Sequence, residues 1–137
     1  MFTFLDHPSE CLVEIQAVQI SQVFEDAAIA LFEIMTDTTI LKPEQHFPLG
    51  LESPERHLLL IDWLNRLILL HELERVFLCR FDVQVRQAET WKLSAVVRGE
   101  RIKENHERRS QAKSATYGQL EWMESRQGHL VRFVVDI

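Results

Sequence analysis

Three carboxylates at the ends of expected elements are the residues of this chain best suited to chemistry. Glu10 stands at a turn into a strand, Asp37 just past a helix, and Asp136 next to the last residue of the sequence. A hard divalent cation such as Ca²⁺, Mg²⁺ or Mn²⁺ takes oxygen ligands. Glu10, Asp136 and the main-chain carboxylate of Ile137 supply them if strands bring the two ends of the chain together. Taken singly, each acidic residue reads first as a solvated surface charge. Asp136 stands out because it closes the apolar run Phe133–Val135, where no turn needs it.

A second cluster gathers Arg98, Arg101, Lys103, Arg108, Arg109 and Lys113, mixed with Glu100, Glu104, Glu107 and His106. It reads first as a solvated loop with internal ion pairs, and alternatively as a contact surface for RNA or an acidic partner. No Phe, Trp or Tyr lies between Arg98 and Lys113, so base stacking is not offered there. Asp6 and His7 suggest an acid–base pair, but neighbours on a turn rarely point at one another and no nucleophile accompanies them. His46, His57, His71 and His129 follow no pattern. Nucleophile elbow, P-loop, dinucleotide fingerprint and HExxH helix are all missing. A metal-dependent hydrolase built on the same carboxylates therefore lacks its nucleophile or base.

The elements that must position these groups surround the stretch from Ser53 to about Arg75. Ser53 is suited to cap a helix and Pro54 to open it. Leu58 to Ile61, Trp63, Leu64, Leu67 to Leu70 and Leu73 then cover most of the circumference, leaving Asp62, Asn65, Arg66 and Glu72 polar. Such a helix must be covered on more than one side, and its polar residues interrupt it too early for a bilayer span. Phe2–Leu5 and Cys11–Ala17 read as strands. Ser21 is expected to cap a helix through Met35, with Phe24, Ala27, Ala28, Leu31, Ile34 and Met35 on one face. Residues 40–51, broken by Pro43 and Pro48, belong at a sheet edge. Val76–Gln87 and Trp91–Arg98 form a hairpin, Gly99 to Ala112 a polar loop, and Ser114–Met123 and His129–Ile137 a last strand pair.

The expected order is β-β-α-β-α-β-β-β-β, an α+β fold of mainly antiparallel strands with two principal helices, in one domain over residues 1–137. The net charge of −6 argues against a general nucleic-acid coat. No apolar run follows a basic leader at the N-terminus, so no signal peptide is expected. Cys11 and Cys79 are far apart and form no CxxC, which fits two reduced thiols on strands. Together these features point to the cytoplasm and to no membrane association.

With these residues in place, the chain resembles the archease family over essentially its whole length. His7–Glu10 stands where archeases have a His-Thr-Ala-Asp turn before a strand. Phe24–Asp37 is similar to their first helix, Lys113–Tyr117 to their Lys-Ala-x-Thr-Tyr strand, and Val134–Ile137 to their closing segment. Trp63–Leu64, the Arg98–Glu100 turn and His106 fall in register. The resemblance implies a protein that is not itself an enzyme: an accessory cofactor of the GTP-dependent, RtcB-type RNA ligase. Archeases promote guanylylation and multiple turnover of that ligase in tRNA splicing and RNA repair, and bind a divalent metal through acidic residues. Carried over by position, the metal ligands are Glu10, Asp136 and the Ile137 carboxylate, with Asp37 as a further candidate. The expected contacts to ligase or RNA are His7, Arg98, Arg101, His106, Arg109 and Lys113. Glu10 replaces the usual Asp, and Gly118 replaces the His that usually follows Thr-Tyr. Both departures favour an alternative role as a metal-independent chaperone or scaffold of an RNA-processing complex.

Overall fold

A helix with apolar residues nearly all round needs neighbours on several sides, and α2 (Arg56–Glu74) has them. In the computed structural model, which describes residues 1–5 and 9–137, α2 touches α1 (Ile20–Met35) and strands of two antiparallel sheets. The strands are β1 (Phe2–Leu5), β2 (Glu10–Ala17), β3 (Gln45–Ser53), β4 (Val76–Gln87), β5 (Trp91–Arg101), β6 (Ser114–Ser125) and β7 (Gly128–Asp136). One sheet has the order β1-β2-β7-β6 and the other β3-β5-β4. Helix α1 also touches both sheets, so the core lies where helices and sheets meet. The α+β class and the order of helices and strands are as the sequence predicts, with a 3-10 turn at Thr38–Ile40 added. Among the described residues, no helix is long and apolar enough to cross a membrane.

Trp63 is fully buried, and its indole N–H donates to the Phe24 carbonyl at 2.9 Å. That bond ties α2 to α1 inside the core, where a lost polar contact is expensive. Trp63→Phe removes the donor and leaves a void. We expect it to lower stability by about 2 kcal/mol, read from the shift in urea midpoint.

Both helix starts differ from expectation. Ser53 is the buried last residue of β3, opposite Trp91, and Glu55 takes the cap position of α2 without a side-chain cap. The β3 ladder claims Ser53 before the helix can. Helix α1 starts one residue before Ser21, whose hydroxyl instead accepts the Val85 N–H at 3.2 Å. The segment broken by Pro43 and Pro48 does form an edge strand, from Gln45 onward. The loop expected from Gly99 to Ala112 is a correction. Strand β5 continues to Arg101, because Gly99, Glu100 and Arg101 pair with Leu78, Phe77 and Val76. Cys11 and Cys79 are free thiols in different sheets, and burial raises both thiol pKa values.

Candidate metal centre

Strand pairing brings the two ends of the chain together. Glu10 of β2 is opposite Asp136 of β7, and Asp136 is opposite Ser114 of β6. Directly opposed residues share a face, with Cβ atoms about 4.5–5.5 Å apart. Glu10, Asp136 and Ser114 therefore form one row, and the Ser114 hydroxyl donates to Asp136 Oδ2 at 3.2 Å. Val131, Phe133 and Val135 belong to the hydrophobic core cluster and the buried Val134 does not, so alternation places Asp136 on the other face, with Arg132 and Val134. Arg132 is already held by Glu14 at 2.8 Å.

Two opposed carboxylates repel one another unless a cation stands between them. Among the described residues, no Lys or Arg forms a salt bridge with Glu10 or Asp136. The donor set is all oxygen, which fits a hard divalent cation and not a thiophilic one. Among the described residues, no three His, Cys, Asp or Glu side chains gather as a metal cluster. A cation held here would need further oxygen ligands beyond these two carboxylates.

Helix α2 and the segment before β6 fix the row. Asn65 accepts the Ala115 N–H at 2.8 Å and donates to the Ala115 carbonyl at 3.1 Å. A carboxamide offers the donor and acceptor that an edge-strand residue lacks on its outer side. The Lys113 N–H donates to the Asp136 carbonyl at 2.8 Å. Asn65 and Ser114 were not legible as site residues, since one reads as a polar interruption of α2 and the other as a strand start.

Asp37 is occupied elsewhere. Its Oδ1 accepts from the Thr39 hydroxyl at 2.6 Å and the Thr39 N–H at 3.0 Å. Those two bonds, the hydroxyl first, hold its carboxyl below the usual range.

The cations expected to meet a partner have different surroundings. Arg98 lies 3.9 Å from Asp82 on the three-stranded sheet. Arg101 is exposed at the end of β5, and Lys113 is exposed just before β6. Arg109 closes the end of α1: its backbone N–H donates to Met35, and its guanidinium binds the Glu33 carbonyl at 2.9 Å and carboxylate at 2.6 Å. His106 is interior, not at the surface. Its Nδ1 accepts the Lys103 N–H at 2.9 Å, and its Nε2 faces Glu100 at 3.3 Å. His7, like Asp6, lies outside the described residues.

These features define a class: a two-helix, two-sheet α+β fold in which the central strands of the four-stranded sheet, β2 and β7, set Glu10 opposite Asp136. The chain belongs to the archease family. The Archease protein family (MTH1598/TM1083) matches residues 2–137. The chain is 31% identical to Protein archease of Methanothermobacter thermautotrophicus over 137 residues, covering 99% of this chain and 98% of that one. It is 32% identical to Protein archease of Methanosarcina mazei over 139 residues, covering 99% and 95%. The solution structure of Methanobacterium thermoautotrophicum protein 1598 superposes with a TM-score of 0.87 at 32% identity, covering 99% and 98% of the two chains.

Proposed function

We propose that this chain is an accessory protein of an RtcB-type RNA ligase in the cytoplasm. It promotes guanylylation of the ligase and its multiple turnover in tRNA splicing and RNA repair. A divalent cation held by Glu10, Asp136 and the Ile137 main-chain carboxylate takes part, and the protein contributes no covalent chemistry of its own. Family membership supports the accessory role. The observation that carries the cation is the Glu10–Asp136 register, two opposed carboxylates without a basic partner among the described residues. Asp37, bound to Thr39, is left out of the ligand set.

Titration calorimetry with Ca²⁺, Mg²⁺ and Mn²⁺ tests the site. Saturable heat is expected in the wild type, with affinity at least roughly tenfold weaker in Glu10→Ala and Asp136→Ala, since each removes a charged ligand. No saturable heat with any of the three ions sinks the cation. Adding the protein to an RNA ligase guanylylation assay tests the role, and an unchanged turnover rate counts against it. The metal-independent scaffold is the second reading. It is favoured by the longer Glu10 side chain and by the open space around Gly118, where no atom lies within 4 Å of an added Cβ. It predicts that Asp136→Ala stimulates the ligase as well as the wild type does.

A further inference from the structure

An open groove of about 710 Å³ lies between the C-terminal end of α2 and the segment that follows β5. Arg75, Arg101, Lys103, Arg108 and Arg109 line it, against the carboxylates of Glu72 and Glu104. That is a local excess of positive charge on a chain whose net charge is −6. Lys103 is taken by Glu100 at 2.9 Å, and Arg109 by Glu33 and Glu107. Arg75, Arg101 and Arg108 have no carboxylate partner among the described residues. Three guanidiniums kept in one groove without a counter-charge are arranged for an external anion.

Three further observations point the same way. Arg75 has φ 56° and ψ 52°, the non-glycine residue with positive φ among those described. Glycine or asparagine is the default there, so a long cationic side chain stands against the local backbone preference. Its carbonyl accepts the Ile102 N–H at 2.9 Å, and Arg101 pairs with the neighbouring Val76, which fixes the two arginines beside each other. Arg108 is held over the Phe77 ring at 5.5 Å, a cation–π contact that aims it without neutralising it. His71, 7% exposed, lines the groove and stacks on Phe77 at 5.3 Å. Its Nδ1–H donates to the Val76 carbonyl at 2.7 Å, which leaves Nε2 as an acceptor without a partner among the described residues. An imidazole acceptor beside three guanidiniums matches a hydroxyl next to a phosphate.

We infer that this groove binds a ribonucleotide phosphate ester, with Arg75, Arg101 and Arg108 on the phosphate oxygens and His71 Nε2 accepting from a sugar hydroxyl. The phosphate belongs either to a single-stranded RNA or to a free nucleotide. The inference is independent of the cation site, which shares none of these residues.

Fluorescence anisotropy with a labelled single-stranded RNA, and competition by ADP, test it. Saturable binding is expected, with log K falling against log salt at a slope of about −0.7 for each phosphate the arginines neutralise. Arg75→Gly combined with Arg101→Ala should weaken binding at least roughly tenfold and flatten that slope. Glycine suits the backbone at position 75, so the single variant Arg75→Gly keeps or raises the melting temperature while losing affinity. Asp136→Ala should bind RNA as the wild type does, which separates this site from the cation centre. Displacement of the RNA by ADP assigns the groove to free nucleotide, and RNA binding that ADP leaves intact assigns it to the strand. Single-stranded DNA of the same sequence should bind several-fold more weakly, and equal binding overturns the hydroxyl contact. The proposal fails if neither probe binds saturably at about 50 mM salt. It also fails if the double variant binds unchanged, or if polyglutamate of equal charge displaces the RNA.

Discussion

Gly99→Ala lowers folding stability by about 3–5 kcal/mol, a large share of what a domain of this size possesses. Gly99 lies in β5 opposite Leu78, where the pairing with β4 shifts register before Arg80. A Cβ there would stand 2.1 Å from the Phe77 carbonyl oxygen, 2.7 Å from Leu78 Cα and 2.9 Å from the Phe77 carbonyl carbon. All three are backbone atoms, so no rotamer change relieves the clash. The strands must separate at the bulge, and Phe77, Leu78 and Val97 are core residues. Gly118→Ala is the matched control, because an added Cβ there meets nothing within 4 Å. It should be neutral or stabilising by about 0.5 kcal/mol, through the reduced freedom of the unfolded chain. Urea denaturation of the two variants checks the pair. A loss below about 1 kcal/mol in Gly99→Ala would show that the bulge yields and that this glycine is not required.

How much of this was legible beforehand divides along a physical line. Periodicity carries local information, and the strands and both helices follow from it, while Pro43 and Pro48 place β3 at an edge. The Glu10–Asp136 juxtaposition is a matter of register between strands more than a hundred residues apart, which hydrophobic pattern alone does not reveal; the residues offer it only as a condition on strand pairing, and the family resemblance then implies it. The helix caps differ from the sequence expectation because Ser53 and Ser21 have non-local competitors, a β-ladder and the Val85 N–H. The stretch from Gly99 to Ala112 departs from the expected loop for a related reason. Its charges look solvated in the sequence, yet Glu100 and His106 are buried and bonded to one another. Charge in a sequence reports the cost of burial and says nothing of a partner that offsets it.

That buried pair matters because the segment it anchors serves two places at once. Residues 102–113 begin at the Arg75 carbonyl, pass Met35 and Ile34 at the end of α1, and reach the Asp136 carbonyl through the Lys113 N–H. The same segment supplies Arg108 to the groove and leads into Ser114, which donates to Asp136. The groove and the carboxylate row are therefore mechanically joined by one run of backbone. Loosening its Glu100 anchor is expected to disturb both, whereas Asp136→Ala keeps the main-chain bond from Lys113.

Glu100→Gln is the substitution that loosens it. The Glu100 side chain is 7% exposed and accepts from three donors: Lys103 Nζ at 2.9 Å, the Lys42 N–H at 3.1 Å and His106 Nε2 at 3.3 Å. The Lys103 bond above all, opposed by burial and aided by Lys42 and His106, lowers its pKa from 4.5 to about 2. A depressed carboxylate pKa favours the fold wherever the group is ionised in the unfolded chain. The contribution is thus complete above pH 4.5 and is lost as pH falls towards about 2. A shift of this size corresponds to about 3 kcal/mol, reduced to about 2–3 kcal/mol by screening at the solvent-facing Lys103 ammonium. Glutamine keeps one acceptor but turns an N–H₂ towards groups that are themselves donors, so it recovers little. Wild type and variant should differ by that amount at neutral pH and converge on acidification through this window. Urea midpoints taken along a pH series check the convergence, and amide exchange at Lys42 and Lys103 should quicken in the variant. A stability difference that persists unchanged below pH 2 would mean that Glu100 acts through shape and not through its charge.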